Sequence, residues 1–415
     1  MSQNEAAEVS EAASEAKPTT GSPSEVFGVF LKLGLTSFGG PIAHLGYFRD
    51  ELVVRRKWID EAGYADVVAL CQFLPGPASS QVGFSLGLLR GNGILGGLAA
   101  WFAFTMPSAV ILFAFALGTS GFVEPIAEGF LHGLKLVAVA VVAQAIWGMA
   151  KNLTPDKERA GIAIAATFVV VFIGGSFGQI GAIVLGAVAG LGLCRGEVRA
   201  LSGHLSFPVS RRGGAIALII FAALFVLPPL LANATGHQAV ALFNALYRSG
   251  ALVFGGGHVV LPLLQTQVVT PGWVADETFL AGYGLAQAVP GPLFTFAAYL
   301  GAVMAPAPNG LVGAGIALSA LFLPGLLLVY GMLPFWGALR QRSTAQAAMR
   351  GTNAAVVGIL GAALYSPVWT SAVLSPGDFA LALTGFLLLI VWKAPPWIIV
   401  LLLAAGGALL QSVPS

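Results

Sequence analysis

Apolar stretches long enough to cross a bilayer recur along the whole chain. A transmembrane helix needs about 20 predominantly apolar residues, because the hydrocarbon core is roughly 30 Å thick. Such stretches, some slightly shorter, lie at 93–118, 134–150, 160–175, 178–194, 213–233, 309–338, 354–374, 378–392 and 396–413. Only 9% of the 415 residues are charged and 57% are hydrophobic, which is far from the composition of soluble domains. The sequence therefore predicts an all-α polytopic membrane protein.

The remaining composition excludes several classes of protein. Segment 1–25 is polar and rich in Glu, Ala, Ser and Thr, which predicts a disordered cytoplasmic tail. Cys71 and Cys194 are far apart and lie in or beside apolar segments, so they indicate neither a disulfide framework nor a metal site. The net charge of +2 gives no sign of a nucleic-acid partner.

An internal repeat divides the chain into two copies. Phe38-Gly39-Gly40 is matched by Phe254-Gly255-Gly256, 216 residues further on. Nearly the same offset pairs Trp58 with Trp273, Gln72 with Gln287, Pro75-Gly76-Pro77 with Pro290-Gly291-Pro292, Pro107 with Pro324, and Gly133 with Gly351. We predict a first copy at 26–194, a second copy at 242–413, and a connector transmembrane helix at 213–233 between them.

Each copy opens with two segments that are broken near their middle. The breaks share glycine and proline, which end helices, and they lie at Gly39, Gly40 and Pro41, at Pro75, Gly76 and Pro77, at Gly255, Gly256 and Gly257, and at Pro290, Gly291 and Pro292. Arms of 10 to 12 residues reach only about 15 Å at 1.5 Å per residue, roughly half the membrane. The segments are therefore either re-entrant hairpins or broken helices that cross.

Charge placement favours hairpins. With hairpins and a cytoplasmic N-terminus, all but three of the 20 basic residues lie on the cytoplasmic side, as the positive-inside rule requires. Counting broken segments as crossings would instead move 49–57, with its four basic residues, to the outside. We predict about 13 membrane segments, an inverted arrangement of the two copies, and a periplasmic C-terminus. Inverted repeats place a substrate site near the midplane between the copies.

The candidate binding residues lie at the hairpin tips and in the first arms. Lys32 and Arg248 stand six residues before Phe38 and Phe254, and basic groups inside apolar segments are functional candidates. Helix N-termini just past each tip favour anions. The polar residues near the tips are His44, Gln72, Ser79, Ser80, Gln81, His258, Gln287 and Thr295. The alternatives are that Lys32 and Arg248 extend to the lipid headgroups and that the serines and histidines only cap helices or satisfy backbone groups.

Other features carry less functional weight. Asp66 would suit proton coupling, but a shallow, solvated carboxylate is the expected role, and Cys71 is expected to pack. The motifs GxGxxG after a strand, GxxxxGK[ST], HExxH and paired CxxC are missing. No catalytic residue, metal site or cofactor is therefore predicted.

The residues now form a recognisable pattern. Phe38-Gly39-Gly40-Pro41 with His44, then Trp58, then Gln72 to Pro77 with Ser80-Gln81, resembles the first half of the chromate ion transporter family. Phe254 to His258 and Gln287 to Pro292 resemble the second half, and the length is similar to that of the two-domain members. The resemblance covers 26 to about 413.

The resemblance implies chromate export across the bacterial inner membrane, which confers chromate resistance and is driven by the membrane potential or a proton gradient. Sulfate or another oxyanion is the nearest alternative substrate. A membrane enzyme acting on anionic lipid head groups is a further alternative, disfavoured because no nucleophile with a positioned base is present. A homodimer is left open.

Overall fold

The computed structural model describes residues 21–118, 124–195, 207–254, 259–339 and 342–412. Throughout these ranges the chain forms helices and short connections, and they contain no β-strand. The predicted all-α fold is confirmed. The first helix begins at Pro23, inside the segment predicted as tail, because Ser22 caps it and proline suits the first helical position.

The helices are short at the start of each copy and long afterwards. The first copy contains α1 (Pro23–Thr36), α2 (Gly40–Phe48), α3 (Glu61–Phe73), α4 (Ala78–Arg90), α5 (Ile94–Gly118), α6 (Glu124–Leu153), α7 (Lys157–Ile173) and α8 (Gly175–Leu193). The connector is α9 (Arg211–Thr235). The second copy contains α10 (Gln238–Ala251), α11 (Val260–Val268), α12 (Asp276–Ala286), α13 (Phe296–Val303), α14 (Gly310–Met332), α15 (Trp336–Leu339), α16 (Ser343–Ala363), α17 (Thr370–Ala372), α18 (Pro376–Ile390) and α19 (Pro396–Ser412). Residues Arg49–Arg55 and Leu364–Trp369 are π-helical, and Leu293–Thr295 and Leu333–Phe335 are 3₁₀ turns.

The order of helices is the same in the two copies. Helices α1 to α8 correspond in sequence to α10 to α14, α16, α18 and α19, while α15 and α17 are short additions in the second copy. Helix α9 stands between the copies, has no counterpart, and is largely exposed.

Several described helices are suited to lipid by length and composition. Five are long and apolar enough to cross a membrane, within Ile94–Gly118, Gly129–Leu153, Arg211–Thr235, Gly310–Leu339 and Ser343–Ala372. Shorter apolar helices lie at Phe177–Leu193, Leu293–Val303, Pro376–Ile390 and Pro396–Leu410. The chain is therefore a multi-pass membrane protein.

The arms of the broken segments lie side by side. The rings of Phe30 and Phe48, on α1 and α2, have centroids 5.5 Å apart, whereas 18 residues of continuous helix would separate them by about 27 Å. In the second copy, Gly282 on α12 packs directly against the ring of Tyr299 on α13. These two segments fold back on themselves at their glycine and proline breaks.

The later helices of each copy pack on the other copy. Helix α6 packs against α18 and α19, and α16 packs against α7 and α8. Glycines allow the closest approaches. A Cβ atom at Gly133 would overlap the carbonyl oxygen of Leu403, and a Cβ atom at the equivalent Gly351 would overlap the carbonyl oxygen of Gly186. The two copies are thus intertwined, and each of the two clusters of buried apolar residues contains side chains from both copies.

We predict that Gly133→Ala destabilises the protein while Gly148→Ala, on the same helix, does not. A methyl group at Gly133 has no room, and overpacking a close interface costs about 1–3 kcal/mol, whereas nothing lies within 4 Å of a Cβ atom at Gly148. Thermal unfolding of the purified protein in detergent measures the difference. Equal unfolding temperatures for the two variants would show that α6 and α19 do not pack as described.

Candidate functional site

Two reciprocal backbone hydrogen bonds join the broken segments of the two copies. The Gly76 amide donates to the Val253 carbonyl over 2.7 Å, and the Gly291 amide donates to the Ser37 carbonyl over 2.8 Å. Gly76 and Gly291 are equivalent in the repeat, as are Ser37 and Val253. Each Pro-Gly-Pro tip is therefore bonded to the residue that opens the other copy's first tip.

These contacts require glycine. The φ angles are +127° at Gly76 and +97° at Gly291, in the region that other residues avoid. A Cβ atom at Gly291 would also lie 2.8 Å from the Ser108 hydroxyl oxygen on α5. The tips can approach each other and α5 because they carry no side chain at these positions.

Gln81 ties the first-copy tip to the second copy. Its side-chain amide nitrogen Nε2 donates to the Pro75 carbonyl and to the Gly325 carbonyl of α14, both over 3.0 Å. Gln81 is fully buried. The predicted site residue Gln81 therefore holds the tip in place through its amide nitrogen.

His44 and the start of α4 form the polar wall next to this tip. His44 is fully buried, its Nδ1 atom lies 3.3 Å from the Ser79 hydroxyl oxygen, and its ring packs edge-on against Phe104 with centroids 5.3 Å apart. Ser79 and Ser80 lie in the first turn of α4, where backbone amides have no partner within the helix. The structure thus brings the predicted residues His44, Ser79 and Ser80 together.

Several buried polar atoms around the tips have no hydrogen-bond partner among the described residues. They are Ser37 Oγ, His44 Nε2, Ser80 Oγ, Gln81 Oε1, Thr105 Oγ1 and Gln287 Nε2. Leaving a buried polar group unsatisfied costs about 1–3 kcal/mol, and a bound ligand or water removes that cost. Six of the twelve such atoms among the described residues therefore belong to residues around the tips.

Two of these residues, Ser37 and Thr105, were missed from the sequence. Ser37 stands one place before the repeated Phe38-Gly39-Gly40 pattern, and Thr105 lies within the apolar stretch of α5. Both are fully buried. The approach of Gly291 to the Ser37 carbonyl and to Phe104 and Ser108 of α5 brings both residues to the second-copy tip.

The site is suited to an anion by its chemistry. The hydroxyl, imidazole and amide groups can donate hydrogen bonds, and the N-terminus of α4, a 13-residue helix, points positive charge at the tip. Among the described residues, no group of three His, Cys, Asp or Glu side chains is placed to hold a metal ion.

Lys32 and Arg248 occupy separate environments. The Lys32 ammonium lies 3.4 Å from the Glu51 carboxylate, which also accepts hydrogen bonds from Arg55 over 3.1 Å and from Arg56 over 2.7 Å. The Arg248 guanidinium lies over the Phe225 ring of α9, 5.2 Å from its centroid. The described contacts do not bring the two cations together at the tips.

The other predicted residues divide into three groups. Gln72 is exposed, although its counterpart Gln287 is partly buried. The Thr295 hydroxyl donates to the Pro292 carbonyl over 2.7 Å, as a local helix-start contact. Gly255, Gly256, Gly257 and His258 lie outside the described residues.

The expectation for Asp66 is wrong. Asp66 is only 5% exposed rather than solvated, and the indole nitrogen of Trp336 donates to its carboxylate over 3.0 Å. Trp336 belongs to α15, which has no counterpart in the first copy, so the repeat pattern did not predict this contact. Cys71, in contrast, is buried as expected.

Comparison with protein families gives two matches within the chain. The family model described as "Chromate transporter" matches residues 24–191 and again residues 240–409. The matched ranges follow the predicted first and second copies to within a few residues.

Similar proteins cover nearly the whole chain. A chromate transport protein of Pseudomonas aeruginosa is 29% identical over 96% of this chain and 94% of its own length. A chromate transport protein of Cupriavidus metallidurans is 26% identical over 92% of this chain and 91% of its own length. A probable chromate transport protein of Synechococcus elongatus is 29% identical over 81% of this chain and 82% of its own length. No solved structure matches the chain.

Proposed function

Because the chain belongs to the chromate transporter family, we propose that it carries chromate across the inner membrane through the place where the tips of its two copies meet. The protein is a transporter and not an enzyme. The main support for this site is the pair of reciprocal backbone hydrogen bonds, from Gly76 to Val253 and from Gly291 to Ser37. Buried polar atoms without a partner among the described residues lie around these bonds.

The proposed topology has nine crossings and four re-entrant hairpins. The N-terminus is cytoplasmic, the C-terminus is periplasmic, and the hairpins of the two copies enter from opposite sides. Two observations support this arrangement: the arms fold back on themselves, and the basic residues then lie mostly inside. In such inverted repeats the substrate site lies near the midplane.

Chromate is held, in this proposal, by neutral hydrogen-bond donors. Ser80 and Thr105 offer hydroxyl groups, His44 offers Nε2, and Gln287 offers a side-chain amide. Donors of this kind suit the oxygens of a tetrahedral dianion, and the start of α4 adds the helix dipole. Movement of the broken arms against the long helices would then break the tip bonds and open the site to the other side.

Export is the favoured direction. A cell that is negative inside drives each negative charge outward with roughly 2.3 kcal/mol per 100 mV, so a dianion leaves without further coupling. Sulfate is the second candidate, because it is also a tetrahedral dianion and the tip donors have no means to exclude it.

The test is accumulation of radiolabelled chromate in inverted membrane vesicles from cells that express the protein. We expect accumulation that needs an energising substrate and that excess sulfate reduces. Absence of accumulation above empty-vector vesicles would reject chromate export, and labelled sulfate accumulation in its place would establish the alternative substrate.

We predict that Ser80→Ala and Thr105→Val each raise the apparent chromate KM about tenfold, because each removes one hydrogen bond to a charged ligand. Thr384→Val is the matched control, since its exposed hydroxyl only donates to the Ala380 carbonyl within α18. Vesicle transport measures KM. An unchanged KM in both tip variants would show that chromate does not bind at the tips.

For Lys32 and Arg248 we expect the effect of a substitution on the chromate KM to depend on the salt concentration. Because their described contacts lie with Glu51 and Phe225, we predict that Lys32→Gln and Arg248→Gln raise the chromate KM at low salt through the loss of a nearby charge. The effect should fade at high ionic strength, where the screening length falls to about 3 Å at 1 M salt. Lys32→Arg and Arg248→Lys serve as controls. A loss that persists at high salt would identify direct ligands instead.

A further inference from the structure

A second region of the protein carries a cation for which the described residues provide no counter-ion. Arg350 lies in α16, and its Nε and Nη2 atoms are buried with no hydrogen-bond partner among the described residues. The Asn353 side-chain oxygen, one helical turn further on, is also buried and unpartnered within the described residues. Because an amide can present either its oxygen or its nitrogen, this pair can offer donors to one ligand.

The internal repeat supplies a comparison for this pair. Gly133 and Gly351 are equivalent, so His132 corresponds to Arg350 and Lys135 corresponds to Asn353. His132 Nε2 lies 2.7 Å from the Asp378 carboxylate, and the Lys135 ammonium lies 3.0 Å from the Glu277 carboxylate. In the first copy, then, the protein itself supplies an anion at both positions.

Helix α7 is the first-copy counterpart of α18, and at the position of Asp378 it carries a cation instead of a carboxylate. Asp378 is the third residue of α18 after its cap Ser375, and the third residue of α7 after its cap Asp156 is Arg159. The Arg159 side chain binds Asp156, with Nε 2.6 Å from Oδ2. The described residues show no ion pair between Arg350 and either Asp156 or the exposed Glu158.

The ends of α7, α8 and α16 that carry these charges lie together. A Cβ atom at Gly190 on α8 would overlap the Ala347 carbonyl oxygen on α16, and a Cβ atom at Gly358 on α16 would overlap the Ala163 carbonyl oxygen on α7. Buried Cys194 caps α8 at this end. Arg350 and Arg159 therefore lie at the same ends of these helices, and the Asp156 carboxylate is already bound to Arg159. A buried guanidinium is stable only when an anion or water satisfies it.

We propose that Arg350 and Asn353, with Arg159 opposite, form a second oxyanion site at the ends of α7, α8 and α16, separate from the tips. The ligand is a tetrahedral oxyanion that takes the place that Asp378 fills beside His132. It is supplied either by a free anion, such as sulfate or phosphate, or by the phosphate of a lipid head group.

The test uses full-length protein carrying Ser80→Ala and Thr105→Val, so that the tips contribute little to anion binding. Labelled sulfate binding and sulfate-dependent thermal unfolding are measured in detergent. We expect one bound sulfate and an unfolding temperature that rises with sulfate, and we expect Arg350→Gln to abolish both. Arg342→Gln, an exposed cation at the start of the same helix, should change neither. Sulfate binding that survives Arg350→Gln would overturn the proposal.

A second variant keeps the test decisive if Arg350→Gln fails to fold. Asn353→Asp gives Arg350 a carboxylate of its own, as Asp378 does for His132. It should raise the unfolding temperature without sulfate and remove the rise that sulfate causes. An Asn353→Asp protein that is no more stable and still responds to sulfate would contradict the site.

Two further arms identify the source of the anion. Delipidated protein that responds to phosphatidylglycerol but not to sulfate, with Arg350→Gln removing the response, would assign the site to a lipid head group. Glu197, outside the described residues, is a carboxylate three positions from Cys194, and Glu197→Gln should leave sulfate binding unchanged. If Glu197→Gln instead creates or greatly strengthens sulfate binding, the chain supplies the counter-ion and the proposal fails.

Discussion

Inside a membrane protein, backbone amides and carbonyls must be satisfied within the protein, because lipid offers no hydrogen bonds. A helix that breaks exposes such groups, and this chain breaks four segments at glycine and proline. The Gly76 and Gly291 amides meet the requirement by bonding to Val253 and Ser37 across the repeat. Each copy therefore completes the broken segments of the other, and the place where they do so has room only for glycine.

The intertwining of the later helices follows from the same constraint. The tips can meet only if the long helices of the two copies keep a fixed position relative to each other. The glycine contacts of α6 with α19 and of α8 with α16 fix that position. A rigid scaffold of long helices then surrounds a short-armed centre. This division suits the proposed carrier, in which the short arms move against the long helices about a fixed site.

Chemistry at the tips differs from chemistry at the periphery. Around the tips the unsatisfied groups are hydroxyl, imidazole and amide groups, while the charged groups Lys32 and Arg248 have their contacts with Glu51 and Phe225. A dianion that must be released is better held by neutral donors than by buried cations, since a close buried ion pair is strongly attractive at low dielectric. In the proposed mechanism these two charges act on the approach of the anion rather than on its final position.

The sequence predicted the all-α fold and the positions of the helix breaks, because glycine and proline impose these locally, and it predicted His44, Ser79, Ser80 and Gln81 near a break. It could not show that Gly291 approaches Ser37 and α5, so Ser37 and Thr105 were missed. Apolar periodicity also gave no sign that Trp336 covers Asp66, since α15 has no counterpart in the repeat. Arg350 precedes the predicted apolar stretch 354–374 in the sequence, but α16 begins at Ser343, so Arg350 lies within the helix. Contacts between distant segments depend on packing that a local pattern does not encode.

The most direct measurement is a crystal structure with bound chromate and diffraction data collected at the chromium absorption edge. Chromium scatters anomalously, so the anion is located without reference to any assumed site. The account predicts an anomalous peak where the tips meet, within hydrogen-bonding distance of the Ser80 and Thr105 hydroxyls. A peak beside Lys32 and Glu51 alone, with none at the tips, would contradict it.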